Sequence, residues 1–345
     1  MMARISESVR ETADMTNQSL EPTTIIRHAN AVFGPMAMLA GMELDLFSVL
    51  GDGPRAAPEI AAAIDADPDR LSLLLYALVS AELLTVENGV FANSTEADLY
   101  LVAGKPGYMG GLSALYRELW GAAMKTTATF RAARPQAMHD FAAMDASALG
   151  DFFAGTHPGA LGAARQLASR VDFSGRRKLL DAACGSGGVG IGLCQAYPEL
   201  TATIADLAPV APIAHRFVDE AGLAERVTVE AVDLTENPPP GTYDAAVMRN
   251  LIQVLSADDA ARVLENIGKA LEPGGMLCIL GWMLDDSRTA PMNAVCHNMV
   301  FINFYDHGQA YTEGEHRAWL EAAGFTGIER QSMPGDYGLI SARKA

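Results

Sequence analysis

The chain has 345 residues, enough for two domains and a sizeable core, and its composition, 50% hydrophobic and 19% charged, is that of a globular protein. A net charge of −17 argues against a nucleic-acid surface, which needs clustered Lys and Arg, so we expect no nucleic-acid partner. The sequence has no charge-free apolar run of about 18 residues and no signal-peptide core near its start, so we expect no membrane partner and a cytoplasmic protein.

The first 50 residues combine a polar start with an apolar helix. Residues 1–22 are polar and mixed in charge, which indicates a flexible tail. Residues 23–50 predict a helix that is interrupted near Gly34-Pro35 and is apolar on more than one face. A terminal helix of that kind needs cover from another element or another subunit.

Two short helices and a hairpin with an Asn88-Gly89 turn follow, an order typical of a winged helix. Between residues 55 and 84, acidic side chains outnumber basic ones, and a recognition helix of that charge would repel phosphate. We therefore predict a winged-helix-like dimerisation domain over residues 23–104 and a homodimer. A regulator that senses a ligand and binds DNA is the non-enzymatic alternative.

The remaining sequence divides into a helical stretch and an alternating one. Residues 105–175 predict a helical linker and substrate-pocket region. Over residues 176–345 strands and helices alternate, which predicts an α/β domain with a doubly wound, mostly parallel sheet of seven strands. The predicted strands are 178–182, 201–206, 227–231, 243–249, 276–282, 327–332 and 337–343.

Residues 178–193 predict the ligand-binding edge of this sheet, because a strand ends at Asp181, a turn of small residues follows and a helix begins. Asp206 lies 25 residues after Asp181, at the end of the next strand, where a carboxylate can accept both hydroxyls of a ribose. Asp233 follows the third strand and could accept an adenine amine. No Gly-Lys-Ser or Gly-Lys-Thr follows the turn, which excludes a phosphate-binding loop. The ligand that fits is a nucleoside without phosphates.

The four cysteines and seven histidines do not predict a metal site. The cysteines lie in apolar stretches without a Cys-x-x-Cys pair, so we interpret them as buried free thiols, with disulfides or metal binding as the alternative. His139, His297 and His307 could meet in space, but no pair has a ligand-like spacing on one element. We therefore expect no metal.

In this order, the motifs resemble those of the two-domain small-molecule O-methyltransferases of plants and bacteria that depend on S-adenosylmethionine (SAM). The resemblance covers residues 24–343 and implies a class I methyltransferase fold, SAM as the cofactor and a small-molecule substrate. The turn at residues 181–187 corresponds to the family's D-V-G-G-G-T-G, and Arg249 to a basic residue that contacts the cofactor. The cofactor contacts that it implies are Asp181, Gly185, Gly187, Asp206, Leu207, Asp233, Leu234 and Arg249.

The catalytic residues of that family are replaced in this chain. The family's base is a His four residues after the basic residue, and Gln253 stands there. Two family Glu positions fall on Gly281 and Ala310. A phenol has a pKa of about 10 and profits from a general base, which glutamine cannot supply. A thioether has no proton to lose, so proximity and in-line orientation can suffice.

Within the family, several stretches resemble the bacterial S-methyltransferases of dimethylsulfoniopropionate (DMSP) synthesis, the DsyB type, which methylate 4-methylthio-2-hydroxybutyrate. The stretches are residues 33–46, 105–110, 245–255 and 306–312. Together with the missing base, this resemblance favours S-methylation of a methylthio acid by direct attack without a protein base. The alternative is O-methylation, or C-methylation, of an aromatic or natural-product substrate, with His139 or His297 as a base outside the usual position; an amine is a possible acceptor too.

A methylthio acid needs a polar grip for its carboxylate and an apolar, aromatic wall for its thioether. The candidates for the grip are Arg117, Lys125, His139 and His297. The candidates for the wall are Tyr116, Trp120, Trp282, Phe301 and Tyr305, and Gln253 completes the predicted substrate site. Core packing or surface solvation is the alternative role of these side chains.

Overall fold

The computed structural model describes residues 21–138 and 144–345, and the chain divides into two units between Pro106 and Gly107. The described helices of the first unit are α1 (Thr23–Asn30), α2 (Phe33–Glu43), α3 (Leu46–Val49), α4 (Ala57–Ala63), α5 (Pro68–Ser80) and α6 (Thr95–Leu101). Its strands are β1 (Arg55–Ala56), β2 (Leu84–Glu87) and β3 (Val90–Asn93), in the antiparallel order β1-β3-β2.

Local sequence explains the winged-helix-like part of this unit. Asp67 caps α5 by accepting a hydrogen bond from the Arg70 N–H at 2.8 Å, and Pro68 occupies the first turn, where its missing N–H costs nothing. The β2-β3 turn has φ +49° at Asn88 and +78° at Gly89, the left-handed pair that a tight hairpin needs. The predicted helices and hairpin are therefore present.

The break in the first helix lies elsewhere than predicted. Helix α1 ends at Asn30 and α2 begins at Phe33, so Pro35 lies in the first turn of α2 and does not interrupt it. Helix α1 buries none of its residues within this unit, and Ile25 and Phe33 are 72% and 66% exposed.

The second unit is a seven-stranded sheet, counted within residues 144–345, with helices on both faces. Its described helices are α7 (Ser113–Ala123), α8 (Thr126–Ala132), α9 (Ala146–Ala168), α10 (Gly188–Ala196), α11 (Ala211–Glu220), α12 (Ala257–Ala270), α13 (Met292–Phe304) and α14 (Glu313–Ala322). Its strands are β4 (Lys178–Ala182), β5 (Thr201–Asp206), β6 (Val227–Ala231), β7 (Tyr243–Arg249), β8 (Leu271–Gly281), β9 (Met283–Leu284), β10 (Tyr311–Thr312), β11 (Phe325–Met333) and β12 (Tyr337–Lys344).

The strand order is β11-β12-β8-β7-β4-β5-β6, with β12 antiparallel to both neighbours and the other pairs parallel. The carboxyl ends of β4, β5 and β7 therefore meet at one edge, beside the point where the strand order reverses. Strand β8 begins at Leu271, earlier than predicted, because the segment around Gly274 forms an irregularity inside the strand and not a turn before it. The predicted sheet topology is otherwise observed.

Helix α9 packs directly on α10, the helix that follows the glycine turn. A Cβ added to Gly188 would lie 2.7 Å from the Ala160 Cβ, and one added to Gly192 would lie 2.6 Å from the Ala164 Cβ. Small residues on both helices thus allow a close approach. This contact fixes the position of the turn from the side opposite the sheet.

In the described ranges, no single helix is long and apolar enough to cross a membrane, although one bent pair, Thr23–Glu43 with Leu46–Asp52, passes by length and composition. All four cysteines are free. Cys194 and Cys278 are buried and Cys184 is half-buried, whereas Cys296 is exposed, so the prediction of four buried thiols is wrong for Cys296.

Candidate cofactor and acceptor site

Two carboxylates, the buried Asp181 and the half-buried Asp206, tie the strand ends to the glycine turn. The Asp181 Oδ2 accepts a hydrogen bond from the Gly190 N–H at 2.7 Å. The Asp206 carboxylate accepts from the N–H groups of Gly185 and Leu207, each at 2.7 Å. The carboxylate expected to bind a ribose is thus also the group that holds the turn and its own loop in place.

Burial raises the pKa of both acids. Desolvation raises the pKa of Asp181 to about 7, and the nearby charge of Asp206 adds to it, while Arg249 acts in the opposite direction. Desolvation also raises the pKa of Asp206 to about 6, against the two backbone hydrogen bonds. The same burial and both carboxylates raise the pKa of the Cys184 thiol well above its usual value, so this thiol stays neutral.

The room that the glycines leave is used by the protein's own side chains. Gly185 and Gly187 have φ of +56° and +73°. A Cβ on Gly185 would lie 2.6 Å from the Phe153 ring, and a Cβ on Gly187 would lie 2.5 Å from the Ile204 side chain. Close packing against these side chains therefore requires glycine at both positions, in addition to any space that the glycines leave for a ligand.

The third predicted acid also stabilises its own loop. The Asp233 Oδ1 accepts hydrogen bonds from the Thr235 N–H at 2.9 Å and the Thr235 hydroxyl at 2.7 Å. Leu234 is buried, and its carbonyl accepts from the Asn266 amide at 3.0 Å. Both residues follow β6, which pairs with β5, so they lie on the Asp206 side of the edge.

The residues present suit SAM. The Nε of Arg249, at the end of β7, is buried, and no described residue accepts a hydrogen bond from it. A buried donor without an acceptor is unfavourable, so an acceptor on a ligand at this edge would satisfy it. A carboxylate for ribose hydroxyls and an unsatisfied guanidinium N–H for an anionic group match the two ends of an amino-acid nucleoside.

Gln253 and Gly281, the positions of the family base and of one Glu, lie side by side. The Gln253 Nε2 donates to the Asn250 Oδ1 at 2.8 Å, and its Oε1 lies 2.8 Å from where a Cβ on Gly281 would be. Gln253 is 3% exposed. A longer residue at position 281 would collide with this amide, so the two replacements are matched to each other.

An aromatic cluster follows directly after Gly281. Trp282 stacks on His297 with ring centroids 4.3 Å apart, and His297 contacts Phe301 at 5.0 Å. Tyr305 packs against the same cluster. Burial lowers the pKa of His297 to about 4, so its imidazole is neutral at physiological pH and is a weak base. Four of the predicted substrate residues therefore pack together in one cluster: Trp282, His297, Phe301 and Tyr305.

The other predicted substrate residues lie on other elements than this cluster, or outside the described chain. Tyr116 and Trp120 stack on each other along α7, with centroids 5.8 Å apart, and Arg117 lies on the same helix. Lys125 donates to the Gln136 carbonyl and lines a surface cavity of about 390 Å³ that contains no strand-end residue, so its predicted role at the site is not supported. His139 lies outside the described residues.

Two polar pairs at this edge were not predicted. The His157 Nδ1 lies 2.8 Å from the Ser186 hydroxyl in the glycine turn, and its ring stacks on Phe217 at 4.0 Å. The Tyr337 hydroxyl donates to the Asn250 Oδ1 at 2.6 Å. The one sequence signal was Asn250 itself, since Asn directly after a strand often adopts the left-handed conformation, here with φ +61°.

No group of three or more His, Cys, Asp or Glu within residues 21–138 and 144–345 is arranged to hold a metal ion.

Comparison with known proteins identifies the family. Residues 117–326 match the O-methyltransferase domain, and residues 26–103 match the O-methyltransferase dimerisation domain. A 3-hydroxy-5-methyl-1-naphthoate 3-O-methyltransferase from Streptomyces sahachiroi is 28% identical over 331 residues, covering 94% of this chain and 96% of that protein. The N,N-dimethyltransferase OxyT from Streptomyces rimosus is 26% identical over 345 residues, covering 95% of this chain and 100% of that protein.

The fold is shared with solved structures. Human N-acetylserotonin methyltransferase, solved in complex with SAM, superposes with a TM-score of 0.78 at 20% identity, covering 94% of this chain and 99% of that one. The matches confirm the predicted class I fold with an N-terminal dimerisation domain, and SAM as the cofactor. Because the O-methyltransferase domain spans more than half of its length, the chain belongs to the O-methyltransferase family.

Proposed function

We propose that this protein transfers a methyl group from SAM to a hydroxyl group of an aromatic natural-product substrate. One observation carries the proposal: Trp282, which stacks on His297, also contacts the Tyr337 ring at 5.5 Å, and the Tyr337 hydroxyl shares the Asn250 acceptor with Gln253, at the family's base position. Such rings suit a flat aromatic acceptor. The family match and the naphthoate O-methyltransferase among the relatives support the same choice of substrate class.

The proposed roles follow from the strand-end geometry. Asp206 would accept the ribose hydroxyls, Asp233 would lie near the adenine, and Arg249 would hold the amino-acid end. When bound, SAM supplies a sulfonium methyl group that the acceptor atom takes as the carbon–sulfur bond breaks, with the electron pair left on sulfur. The chain's contribution is to orient the acceptor, because the Gln253 amide cannot serve as a base.

S-methylation of 4-methylthio-2-hydroxybutyrate, the first reading of the sequence, receives no support from the relatives. The His297 imidazole, one candidate for holding the carboxylate of that substrate, is neutral at physiological pH and is packed between aromatic rings. The alternative named with it, O-methylation of an aromatic or natural-product acceptor, agrees better with the family. We therefore adopt that alternative and leave DMSP synthesis aside.

We also propose a homodimer formed through the first unit. Its match to a dimerisation domain and the exposed apolar residues of α1 and α2 support this assembly. The domain limits at residues 23–104, 105–175 and 176–345 are proposals of the same kind. The cytoplasmic location stays a prediction.

A matched set of acceptors tests the proposed reaction. The protein is incubated with methyl-labelled SAM and naphthoates that carry OH, NH2 or SCH3 at the same ring position, together with 4-methylthio-2-hydroxybutyrate. We expect label on the hydroxyl compound, with at least about tenfold lower kcat/KM for the methylthio compounds. An Asp206→Ala variant is the control for SAM-dependent transfer. Label on the methylthio acid alone would refute O-methylation and restore the first reading.

A further inference from the structure

Three polar side chains form a continuous hydrogen-bonded chain at the end of β7. The Tyr337 hydroxyl and the Gln253 Nε2 both donate to the same atom, the Asn250 Oδ1, at 2.6 and 2.8 Å. Gln253 is buried and Tyr337 is half-buried. The chain links β12 to the short turn after β7, and therefore joins residues that lie 87 positions apart.

The charge of Arg249 agrees with the direction of these hydrogen bonds. Burial raises the pKa of the Tyr337 hydroxyl, and the nearby positive guanidinium of Arg249, which can only donate, counteracts that rise. A cation beside a hydroxyl favours oxygen lone pairs that face it, which agrees with a tyrosine proton directed towards Asn250. Asn250 presents its oxygen there, and Gln253 turns its NH2 group to that oxygen.

The opposite orientation of Gln253 is unfavourable. If the carboxamide were reversed, its oxygen would lie 2.8 Å from the Asn250 Oδ1, and two acceptors would face each other in a buried site. In the observed orientation the Gln253 oxygen points to the side where Gly281 has no side chain. The amide is therefore held with a known polarity.

The backbone makes Asn250 suited to this position. Its φ is +61°, a conformation that Asn, Asp and Gly adopt more readily than other residues. Its N–H donates to the Leu280 carbonyl on β8 at 2.9 Å, which anchors the turn to the sheet. An asparagine supplies both the left-handed backbone and the side-chain acceptor.

We infer that Asn250 and Tyr337 are positioning residues that hold the Gln253 oxygen ready to accept a hydrogen bond from an O–H or N–H on the methyl acceptor. This inference rests on the proposed function and narrows its substrate class. Such a bond turns the lone pair of the acceptor atom, and not its hydrogen, towards the methyl group. The proton passes to water, because an amide cannot keep it at neutral pH. A thioether has no hydrogen to offer.

Two substitutions at one position separate the side chain from the backbone. Asn250→Gly keeps the left-handed backbone and removes the acceptor, whereas Asn250→Asp keeps both. With the hydroxynaphthoate, we expect kcat/KM to fall about 10- to 30-fold in Asn250→Gly and less than about threefold in Asn250→Asp. The KM for SAM should stay within about twofold in both. Tyr337→Phe should lower kcat/KM less than Asn250→Gly. Tyr197→Phe is its matched control, because Tyr197 is also half-buried and packs against the core.

A readout without turnover tests the positioning independently. In the wild type, the Gln253 side-chain amide should be protected from hydrogen exchange, measured by NMR. The protection should be lost in Asn250→Gly and kept in Asn250→Asp. Equal kinetics and equal protection in the two variants would overturn the inference, and so would equal turnover of the hydroxyl and methylthio naphthoates. If no acceptor is methylated, the proposed function fails, while amide exchange still decides whether Asn250 holds Gln253.

Discussion

At the scale of single residues, the buried carboxyl of Asp181 holds a backbone N–H and at the same time lowers the stability of the fold at neutral pH. Asp181 is 1% exposed and its Oδ2 holds the Gly190 N–H, yet burial raises its pKa to about 7. Between about pH 4 and pH 7 the folded protein keeps a proton on this carboxyl that the unfolded chain has lost. The contribution of Asp181 to stability therefore decreases as the pH rises through this window.

The variant Asp181→Asn tests this linkage, because asparagine resembles the protonated acid and can still accept from Gly190. We expect its Tm without cofactor to exceed that of the wild type by about 3 to 8 °C at pH 8. The gain should become smaller at pH 5, where the wild-type carboxyl is itself protonated. Thermal unfolding at both pH values measures it, with Asp219→Asn on the exposed face of α11 as the control. An equal gain at both pH values would contradict the assignment.

Single residues also differ in whether their place in the candidate site can be predicted from the sequence. Asp181, Asp206 and Arg249 end strands that local pattern predicts, and parallel strand ends meet at one edge. Asn250 and Tyr337 meet only because β12 runs antiparallel beside β8. A pairing across 87 residues leaves no local signal in the sequence.

At the scale of elements, α9 is the helix that supports the glycine turn. Phe153 lies against Gly185, and Ala160 lies against Gly188. The His157 ring, on the same helix, is hydrogen-bonded to the Ser186 hydroxyl. Burial lowers the pKa of His157 to about 4, so the ring is neutral at physiological pH and keeps this hydrogen bond. Helix α9 thus supports the glycine turn through packing and a neutral His157 side chain.

The variants His157→Phe and Ser186→Ala test this support. Phenylalanine keeps a ring to stack on Phe217 but loses the contact with Ser186. We expect the Kd for S-adenosylhomocysteine, measured by calorimetry, to rise about 3- to 10-fold in each variant, with the kcat for the acceptor nearly unchanged.

The double variant His157→Phe/Ser186→Ala shows whether the two side chains affect the Kd together or independently. If the two side chains act through one hydrogen bond, the double variant should bind about as weakly as either single one. His215→Phe on α11, at a solvent-exposed position, is the matched control. Strictly additive losses would show that His157 and Ser186 act independently.

At the scale of the whole molecule, the first unit has an apolar surface that its own residues leave exposed. Helix α1 buries none of its residues there, and Ile25, Ile26 and Phe33 are more than half exposed. An exposed apolar surface of this kind is typical of a protein–protein interface. The match to a dimerisation domain agrees with that assignment.

The substitution Phe33→Glu tests the dimer. A buried charge without a partner is unfavourable at an apolar interface, so we expect the sedimentation mass to fall from two chains to one at micromolar concentration. Asn30→Glu adds the same charge on the neighbouring helix without removing an apolar side chain, and it should remain dimeric. An unchanged mass for Phe33→Glu would place the interface elsewhere.

The sequence by itself determined the sheet, its strand-end acids, the cofactor and the absence of the family's base at Gln253. These features depend on local patterns, such as strand alternation, the small-residue turn and the spacing of Asp206. The reaction was harder to predict, because the absence of the family's His shows that the usual base is missing but does not show which group acts in its place.

Only the tertiary structure decided how the site is held together. It placed Gly281 against Gln253, Ala160 against the glycine turn and Tyr337 against Asn250. It also placed Lys125 at a separate cavity and lowered the pKa of His297 by burying it between aromatic rings. Each of these results depends on which distant segments pack together, and packing between distant segments has no short-range pattern in a single sequence.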